Sequence, residues 1–320
     1  ILYKITMKIK KILITGGAGY IGSILVSDLV QKGYFVTVID NLKFEKNSLS
    51  HLLGFKNFKF IKADVRNKNI LINELKGKDL IIPLAGLVGA PLCKKFPRMA
   101  TEINYNNIKF ILSKIKKSQK VIYPNTNSGY GVGKKNSYCD EKSTLNPISL
   151  YGKTKVQAEK IILNHKNSIV FRLATVFGYS YRMRTDLLVN FLVREAVLKN
   201  KLEIFEPHFR RNYIHVKDIS NAFLFSIINF QKMKGNIYNL GLSNANLTKI
   251  ELAKSIKKII KNIKINIKRN KADPDKRDYF VSNKKIEKIG FRTKVSLNEG
   301  IKELYKVFKI NNFNQNKNNY

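Results

Sequence analysis

The stretch Thr15-Gly-Gly-Ala-Gly-Tyr-Ile-Gly22 decides the fold of this 320-residue chain. An apolar run at 11–15 leads into it, and a helical pattern at 20–31 leads out of it. Glycines in such a turn let the backbone approach a dinucleotide pyrophosphate, and the N-terminus of the following helix attracts its negative charge. The stretch therefore predicts the first strand, turn and helix of a dinucleotide-binding domain.

Three glycines and one carboxylate define the predicted cofactor site. Gly16 allows the tight turn, Gly19 lets the backbone approach the pyrophosphate, and Gly22 lets the helix pack closely. Asp40 ends the next predicted strand, where its carboxylate can accept hydrogen bonds from the adenosine ribose. Because that charge would repel a 2′-phosphate, Asp40 favours NAD over NADP as the cofactor. The alternative is that Asp40 is a simple turn residue at a strand end.

Strand and helix patterns alternate through the first half of the chain. The predicted strands lie at 11–15, 34–40, 58–61, 79–84, 120–123 and 168–173. Helical patterns separate them, notably 99–117 and 150–164. This alternation predicts an α/β fold with a Rossmann-type doubly wound parallel sheet. Asp64 and Val65, after the third strand, are either adenine contacts or ordinary loop residues.

A second, smaller lobe is expected after residue 177, where the alternation breaks down. Helical patterns at 186–199, 249–261 and 297–308, with a short strand near Ile204, predict a C-terminal α+β substrate lobe. The expected division is an NAD-binding domain at 7–175 with a return segment at 213–240, and a lobe made of 176–212 and 241–310. Met7 is the expected natural start, and 311–320 is expected to be a polar tail.

The formal net charge of +38 has two explanations. A positive field attracts nucleic acid or acidic membranes. However, the lysines are spread along the whole chain and do not form a block, so we expect a compositional origin and no specific nucleic acid partner. Cys93 and Cys139 have no metal-ligand spacing, so neither a disulfide framework nor a metal site is expected. No apolar run approaches the roughly 20 residues that span a bilayer, and a cytoplasmic location without membrane attachment is expected.

Tyr151 and Lys155 form the candidate catalytic pair. They are four residues apart in a predicted helix and therefore lie on the same face. An isolated tyrosine has a pKa of about 10, so a nearby ammonium that favours the phenolate would make Tyr151 a base nearer neutral pH. Thr126, in the loop after the fifth strand, is the candidate for polarising a substrate oxygen. The alternatives are a surface contact for the pair and a loop cap for Thr126.

The chain resembles the extended short-chain dehydrogenase/reductases that act on nucleotide sugars, the NAD-dependent epimerase/dehydratase family. The resemblance covers residues 8 to about 308. It rests on the glycine motif already quoted and on Asp40-Asn-Leu42, Asp64-Val-Arg66, Leu84-Ala-Gly86, Tyr151-Gly-Lys-Thr-Lys155, Arg172-Leu-Ala-Thr-Val-Phe-Gly178 and Arg211-Asn-Tyr-Ile-His-Val216.

The resemblance implies a function and a set of site residues. It implies that Tyr151 is the acid/base, that Lys155 is its partner and that Thr126 is catalytic. The cofactor motifs add contacts at Tyr20, Ile21, Asn41, Leu84, Ala85 and Gly86. The substrate side is implied at Ser128, Thr175, Asn190, Arg211 and Arg277. Arg211 and Arg277 suit bidentate diphosphate contacts, although both could be solvated cations in a basic chain. A homodimer through the 99–117 and 150–164 helices is also implied.

Departures from the family pattern narrow the expected reaction. Dehydratases of the family carry an Asp-Glu pair where this chain has Asn127 and Ser128, and neither can act as acid or base in water elimination. A 3,5-epimerase would need a Cys or similar group where Ser128 stands. The expectation is therefore oxidation at one carbinol carbon, C4, with either release of a ketosugar or return of the hydride as a 4-epimerase. The alternative without catalysis is an NAD- or RNA-binding protein on the same fold. The stretches 83–93, 124–131, 182–188 and 273–279 are similar to enzymes that oxidise C4 of GDP-manno-heptose.

Overall fold

The protein is described by a computed structural model at residues 9–133, 137–268 and 277–310. Met7 and the 311–320 tail lie outside the described residues, as does most of the 273–279 stretch. The strands, in chain order, are β1 Lys11–Thr15, β2 Phe35–Asp40, β3 Phe58–Lys62, β4 Leu80–Pro83, β5 Lys120–Thr126, β6 Tyr138–Cys139, β7 Ser168–Leu173, β8 Thr175–Phe177, β9 Lys201–Ile204, β10 Arg210–His215, β11 Asn236–Leu240, β12 Asn246–Thr248, β13 Lys264–Ile267 and β14 Phe280–Val281.

Helices cover both faces of the main sheet and build most of the second lobe. They are α1 Tyr20–Gln31, α2 Lys68–Leu75, α3 Ala90–Lys95, α4 Pro97–Thr101, α5 Asn107–Lys114, α6 Leu150–Leu163, α7 Leu188–Lys199, α8 Val216–Ile228, α9 Phe230–Met233, α10 Lys249–Ile259, α11 Lys284–Lys288 and α12 Leu297–Ile310. Short 3₁₀ turns occur at Ser50–Leu52 and Asn127–Tyr130, and a π-helical turn occupies Glu102–Asn106. Within the described residues, no helix is long and apolar enough to cross a bilayer.

The main sheet has seven strands in the order β11-β7-β5-β4-β1-β2-β3, and every neighbouring pair is parallel. The inner strands are apolar because both of their faces are covered; Ile12 to Ile14 and Leu80 to Ile82, for example, are fully buried. The chain leaves β1 toward β2 on one side and continues through β4 on the other. A crevice therefore opens at the carboxyl ends of β1 and β4. The predicted fold class is confirmed.

The second lobe packs its own apolar core beside this crevice. β12, β10 and β8 form one small sheet, while β13 pairs with β9 and β14 pairs with β6. The antiparallel β10–β12 pairing sets Arg210 opposite Thr248. Tyr213 to His215 of the predicted return segment therefore lie in this small sheet, and the chain rejoins the main sheet through β11, next to β7.

The helix predicted at 99–117 is interrupted in the structure. α4 runs into the π-helical turn and α5 ends at Lys114. In that turn the buried side chain of Asn104 accepts a hydrogen bond from Leu87 N at 2.8 Å and donates to Leu87 O at 3.0 Å. The extra residue in the turn directs Asn104 at the loop after β4. The hydrophobic pattern of the sequence gives no information about this tertiary hydrogen bond. The interruption of the helix therefore could not be predicted from the sequence.

Candidate functional site

A cavity of about 390 Å³ lies at the carboxyl ends of β1, β4 and β5, and residues of the second lobe close it. Most of the residues predicted to form a site line it together. The predicted residues on its wall are Gly16, Gly19, Tyr20, Ile21, Gly22, Asp40, Asn41, Asp64, Val65, Leu84, Ala85, Gly86, Thr126, Ser128, Tyr151, Lys155, Thr175 and Arg277. The two motifs that are about 130 residues apart in the sequence are thus neighbours in space.

The glycine turn leaves room that side chains would fill. Gly16 has φ +72°, a conformation that favours glycine, and a Cβ there would lie 2.5 Å from Ala85 N. A Cβ on Gly22 would lie 2.6 Å from Gly17 O, so only glycine allows α1 to start this close to the turn. The bare backbone and the N-terminus of α1 at Tyr20 fit a bound pyrophosphate.

Asp40 is held at the end of β2 by backbone donors. Its carboxylate accepts hydrogen bonds from Ala18 N at 3.0 Å and from Leu42 N at 2.8 Å. Burial raises the pKa of Asp40, and the hydrogen bonds from Leu42 and Ala18 act against that rise. The side chain is therefore fixed where the predicted ribose hydroxyls would lie, and the residues of the turn fit NAD.

Asp64 lies on the same part of the wall and is paired with a cation. Arg66 Nε lies 2.9 Å from Asp64 Oδ1, and Asn41 Nδ2 donates to Asp64 Oδ2 at 3.4 Å. The hydrogen bond from Arg66 is the main reason that the pKa of Asp64 is lowered. Asp64 is thus an ionised, positioned acceptor beside Asn41, and its contact with adenine stays a prediction.

Replacing Asp40 with Ala should weaken NAD binding and reduce the preference for NAD over NADP. The substitution removes both the ribose acceptor and the charge that repels a 2′-phosphate. Loss of one charged hydrogen bond should cost about 1.5–3 kcal/mol, or roughly 10- to 150-fold in Kd. Calorimetric titration of wild type and Asp40→Ala with both dinucleotides measures this, with Glu299→Ala, at an exposed carboxylate that does not line the cavity, as a control. A wild-type protein that already prefers NADP would contradict this assignment.

Tyr151 and Thr126 meet on the cavity wall. Ser149 caps α6 by accepting a hydrogen bond from Gly152 N at 3.2 Å, which sets the first turn of the helix that carries Tyr151. The pKa of Tyr151 is raised to about 12, chiefly by burial and next by nearby Cys93, whereas Arg277, Arg184 and Thr126 act to lower it. These three groups favour the phenolate, and burial opposes them.

Lys155 lies one turn further along α6, and its ammonium has two contacts. Nζ donates to Pro124 O at 2.5 Å and lies 4.0 Å from the centroid of the Tyr123 ring. Burial lowers the pKa of Lys155 to about 7, while Glu159 acts in the opposite direction. The contributions that lower the pKa of Tyr151 come from Arg277, Arg184 and Thr126. The predicted effect of Lys155 on Tyr151 therefore stays a prediction.

Three predicted substrate residues lie beside Tyr151 and Thr126. Thr126 Oγ1 and Ser128 Oγ are 2.8 Å apart, and Ser128 N donates to Thr126 Oγ1 at 3.1 Å. Arg277 donates from Nη1 to Ser128 Oγ. Thr175, the first residue of β8, completes this part of the wall. The second lobe thereby supplies a cation directly to the loop that carries the hydroxyls.

Asn190 and Arg211 do not line the cavity. Asn190 is fully buried, accepts from Gly178 N at 3.0 Å and donates to Arg184 O at 2.8 Å. It therefore holds the segment that carries Arg184. Arg211 Nη1 donates to Arg210 O at 3.0 Å, and its guanidinium lies 5.9 Å from the centroid of the Tyr279 ring. The packing of α7 directs Asn190, and the packing of the small sheet directs Arg211. A motif position in the sequence contains no information about either.

The cavity residues that were not predicted individually include two arginines, Arg182 and Arg184. Arg184 is bound through two nitrogens to Asp186, with Nε 3.1 Å from Oδ1. Arg182 lies 5.0 Å from the centroid of the Phe44 ring, and its pKa is lowered to about 10, chiefly by burial and next by Arg184. The arginines in Arg182-Met-Arg184 just before a predicted helix could have indicated them, but they were noted only as part of a resemblance. Arg184 adds positive charge near Tyr151, and Arg182 adds positive charge near Asp40 and Phe44.

Comparisons with known proteins agree with this geometry. Residues 12–241 match the NAD dependent epimerase/dehydratase family. The chain is 29% identical over 335 residues to CDP-paratose 2-epimerase of Salmonella typhi, covering 92% of this chain and 98% of that protein. It is 31% identical over 273 residues to dTDP-D-glucose 4,6-dehydratase of Dictyostelium discoideum, covering 78% of this chain and 62% of that protein.

A solved structure has the same architecture. UDP-glucose 4-epimerase of Thermotoga maritima, determined with UDP-glucose, superimposes with a TM-score of 0.81 at 25% identity, covering 93% of this chain and 98% of that one. The family match extends over more than half of the chain and includes the glycine turn, Thr126, Tyr151 and Lys155. The protein is therefore a member of the NAD dependent epimerase/dehydratase family.

Proposed function

We propose that the protein oxidises C4 of a nucleotide-diphosphate sugar with NAD. The observation that carries this proposal is the shared wall of one cavity. Tyr151 and Thr126 lie on it, and so do the glycine turn at Gly16 and the carboxylate of Asp40. A proton acceptor and a dinucleotide site in one cavity are the two parts that oxidation of an alcohol requires.

The proposed chemistry assigns one task to each side chain. Tyr151, as a phenolate, takes the proton of the C4 hydroxyl, and Thr126 donates a hydrogen bond that orients the reacting oxygen. Lys155 is positioned on the same helix to bind ribose hydroxyls and to add positive charge near Tyr151. When bound, NAD would supply the acceptor for the hydride that leaves C4.

The charge of the cavity supports an anionic substrate. Arg184 and Arg277 line it near Tyr151, Arg182 lines it near Asp40, and guanidinium groups suit diphosphate oxygens. In the proposed division, all three arginines belong to the substrate lobe at 176–212 and 241–310 and not to the NAD-binding domain at 7–175 and 213–240. We favour a GDP-manno-heptose because of the resemblance of stretches such as 83–93 and 182–188.

A nucleotide-sugar 4-epimerase is the second candidate. The T. maritima relative, a UDP-glucose 4-epimerase, covers nearly the whole chain at 25% identity. Both candidates use the same proton acceptor at Tyr151. They differ in the fate of the ketosugar, because an epimerase rotates it and returns the hydride whereas a dehydrogenase releases it.

The product should retain its C6 oxygen. The positions that would carry the acid and base of water elimination are Asn127 and Ser128, and neither side chain can perform that role. Mass spectrometry of the product measures this directly. Loss of two mass units indicates net oxidation and an unchanged mass indicates epimerisation, whereas loss of water would overturn the argument from Asn127 and Ser128.

A panel of GDP-, UDP-, CDP- and dTDP-sugars tests the proposed function. The protein is loaded with NAD, each sugar nucleotide is added, and the absorbance of the reduced cofactor is followed together with the product. We expect turnover with a GDP-manno-heptose. Absence of turnover with every member of the panel, with NAD shown to be bound, would contradict an enzymatic role and support a binding function.

We also propose a cytoplasmic homodimer that assembles through α4, α5 and α6. Pro97, Arg98 and Leu150 line a shallow groove that joins these helices on the surface. Light scattering measures the mass in solution. A charge reversal at the groove, Arg98→Glu, should shift the dimer toward monomer, and the distant Lys59→Glu serves as its control.

A further inference from the structure

The first turn of α1 is hydrogen bonded to the segment at 178–184, which carries two of the arginines that line the cavity. Tyr20 Oη donates to Gly178 O at 2.6 Å. Ser180 Oγ donates to Tyr20 O at 2.6 Å, and Ser23 Oγ lies 2.8 Å from Ser180 Oγ. The helix that begins at the cofactor turn therefore holds a segment of the substrate lobe.

We propose that Tyr20, Ser23 and Ser180 are positioning residues for substrate binding. Their hydrogen bonds hold the 178–184 segment so that the guanidinium of Arg184 stays on the cavity wall. This inference rests on the proposed function, because it takes the ligand of that arginine to be the diphosphate of a nucleotide sugar. In addition to the cofactor contact implied for Tyr20, its hydroxyl thus has a task on the substrate side.

Each hydroxyl group of the network has one hydrogen to donate, which fixes the direction of its bonds. Ser180 gives its hydrogen to Tyr20 O, so Ser23 is the donor in the contact with Ser180. Ser23 Oγ in turn accepts from Arg182 N at 3.3 Å. Tyr20 gives its hydrogen to Gly178 O. Removal of any one of these hydroxyls therefore breaks at least one bond between the helix and the segment.

Asn190 of α7 joins both ends of the segment to the hydroxyl of Tyr20. Its Nδ2 donates to Tyr20 Oη at 3.2 Å and to Arg184 O at 2.8 Å. Its Oδ1 accepts from Gly178 N at 3.0 Å. Asp186 binds the guanidinium of Arg184 through Nε and Nη2. The backbone of Arg184 is thus held through Asn190 and Tyr20, and its side chain is directed by Asp186.

The network is buried where apolar side chains would fill the space equally well. Ser23, Ser180 and Asn190 are at most 1% exposed, and Tyr20 is 7% exposed. Buried polar groups are costly unless they are hydrogen bonded, and later core positions of α1, such as Leu25, are apolar. Apolar side chains would not fix the direction of the segment, whereas hydrogen bonds do. This choice of residues supports a positioning task.

Tyr20→Phe and Ser180→Ala should each raise the KM for the nucleotide sugar by about 3- to 10-fold, with NAD held at saturation. Loss of one hydrogen bond lets Arg184 leave the wall for part of the time, and the range corresponds to the net contribution of one such bond. The fall in kcat should be less than about twofold, because Tyr151 and Thr126 are unchanged.

Matched variants define the origin of the effect. Tyr238→Phe also removes a buried hydroxyl that donates to a backbone carbonyl, Met233 O at 3.4 Å, but Tyr238 does not line the cavity. Its KM should equal that of the wild type. Ser180→Cys, a weak donor of similar size, should have a KM between those of the wild type and Ser180→Ala.

A double-mutant cycle tests the link to the arginine. In an Arg184→Met background, Tyr20→Phe should raise KM by less than about twofold, because no guanidinium is left to position. Urea unfolding of each variant measures the structural cost of the lost hydrogen bond separately. A purely structural role would lower the unfolding midpoint without changing KM. An unchanged KM in Tyr20→Phe, or an equal rise in both backgrounds, would overturn the inference.

A binding measurement separates this inference from the proposed function. GDP, UDP, CDP and dTDP are titrated calorimetrically into the protein at saturating NAD, so that no turnover is needed. Tyr20→Phe should raise the Kd of the diphosphate that binds the wild type by about 3- to 10-fold, even if the sugar panel gives no turnover. An unchanged Kd, or no binding of any of the four to the wild type, would refute the inference. Turnover of a nucleotide sugar with an unchanged Kd in Tyr20→Phe would leave the proposed function intact.

Discussion

Tyr151→Phe should lower kcat by about 10²- to 10⁴-fold while the protein folds normally and binds NAD as tightly as the wild type. The substitution removes a single oxygen from the cavity wall. Thr126, Arg184 and Arg277 act to lower the pKa of this phenol, against the larger effect of its burial. Single-turnover rates at saturating substrate measure the chemical step directly.

The control for this prediction is Tyr123→Phe. Tyr123 is also a tyrosine near α6, but its buried ring lies beneath Lys155 and its hydroxyl does not line the cavity. Its phenylalanine variant should retain most of the activity. Near-normal activity of Tyr151→Phe would show that another group takes the proton, and the assignment of the base would fail.

Glu159→Ala should lower the free energy of unfolding by about 3–5 kcal/mol. Glu159 and Arg172 form a buried ion pair at 2.6 Å, with side chains only 3% and 4% exposed. Asn125 also donates to Glu159, so this carboxylate joins α6 to β5 and β7. Removing it leaves the guanidinium of Arg172 buried beside the ring hydroxyl of Tyr130, 3.0 Å away, without its counterion.

Urea unfolding of three variants tests this prediction. Replacing Glu159 and Arg172 together by Leu should recover most of the stability, because no unpaired charge remains. Lys59→Ala breaks an exposed pair with Glu74 and should change stability by only about 0–1 kcal/mol. A loss below about 1 kcal/mol in Glu159→Ala would contradict the account of this ion pair.

Short sequence patterns predicted well where the helices and strands of the NAD-binding domain lie. The helix predicted at 20–31 matches α1, and the strand predicted at 168–173 matches β7. Both follow from information within a few residues, namely the glycine turn and a continuous apolar run. The strand predicted at 120–123 was too short, because Pro124 and Asn125 have low strand propensity. Pairing with β7 as far as Leu173 overrides that propensity and carries Thr126 to the cavity.

The positions of the side chains in the substrate lobe depend on long-range contacts, and no local sequence pattern contains those contacts. Arg277 lines the cavity, and its contact with a substrate stays a prediction, whereas Asn190 points into the loop that carries Arg184. The hydrogen bond between Arg277 and Ser128 joins residues 149 positions apart. Such a contact forms only when the second lobe packs on the sheet, so no local sequence pattern predicts it.

Transfer of deuterium from C4 tests the central claim most directly. A sugar nucleotide labelled with deuterium at C4 is incubated with the NAD-loaded protein, and an identical substrate labelled at C2 is the control. We predict a slower reaction with the C4 label only, and recovery of that deuterium in the nicotinamide ring or, for an epimerase, back at C4. Equal rates for the C4-labelled and unlabelled substrates, with deuterium recovered from the C2 label instead, would contradict oxidation at C4.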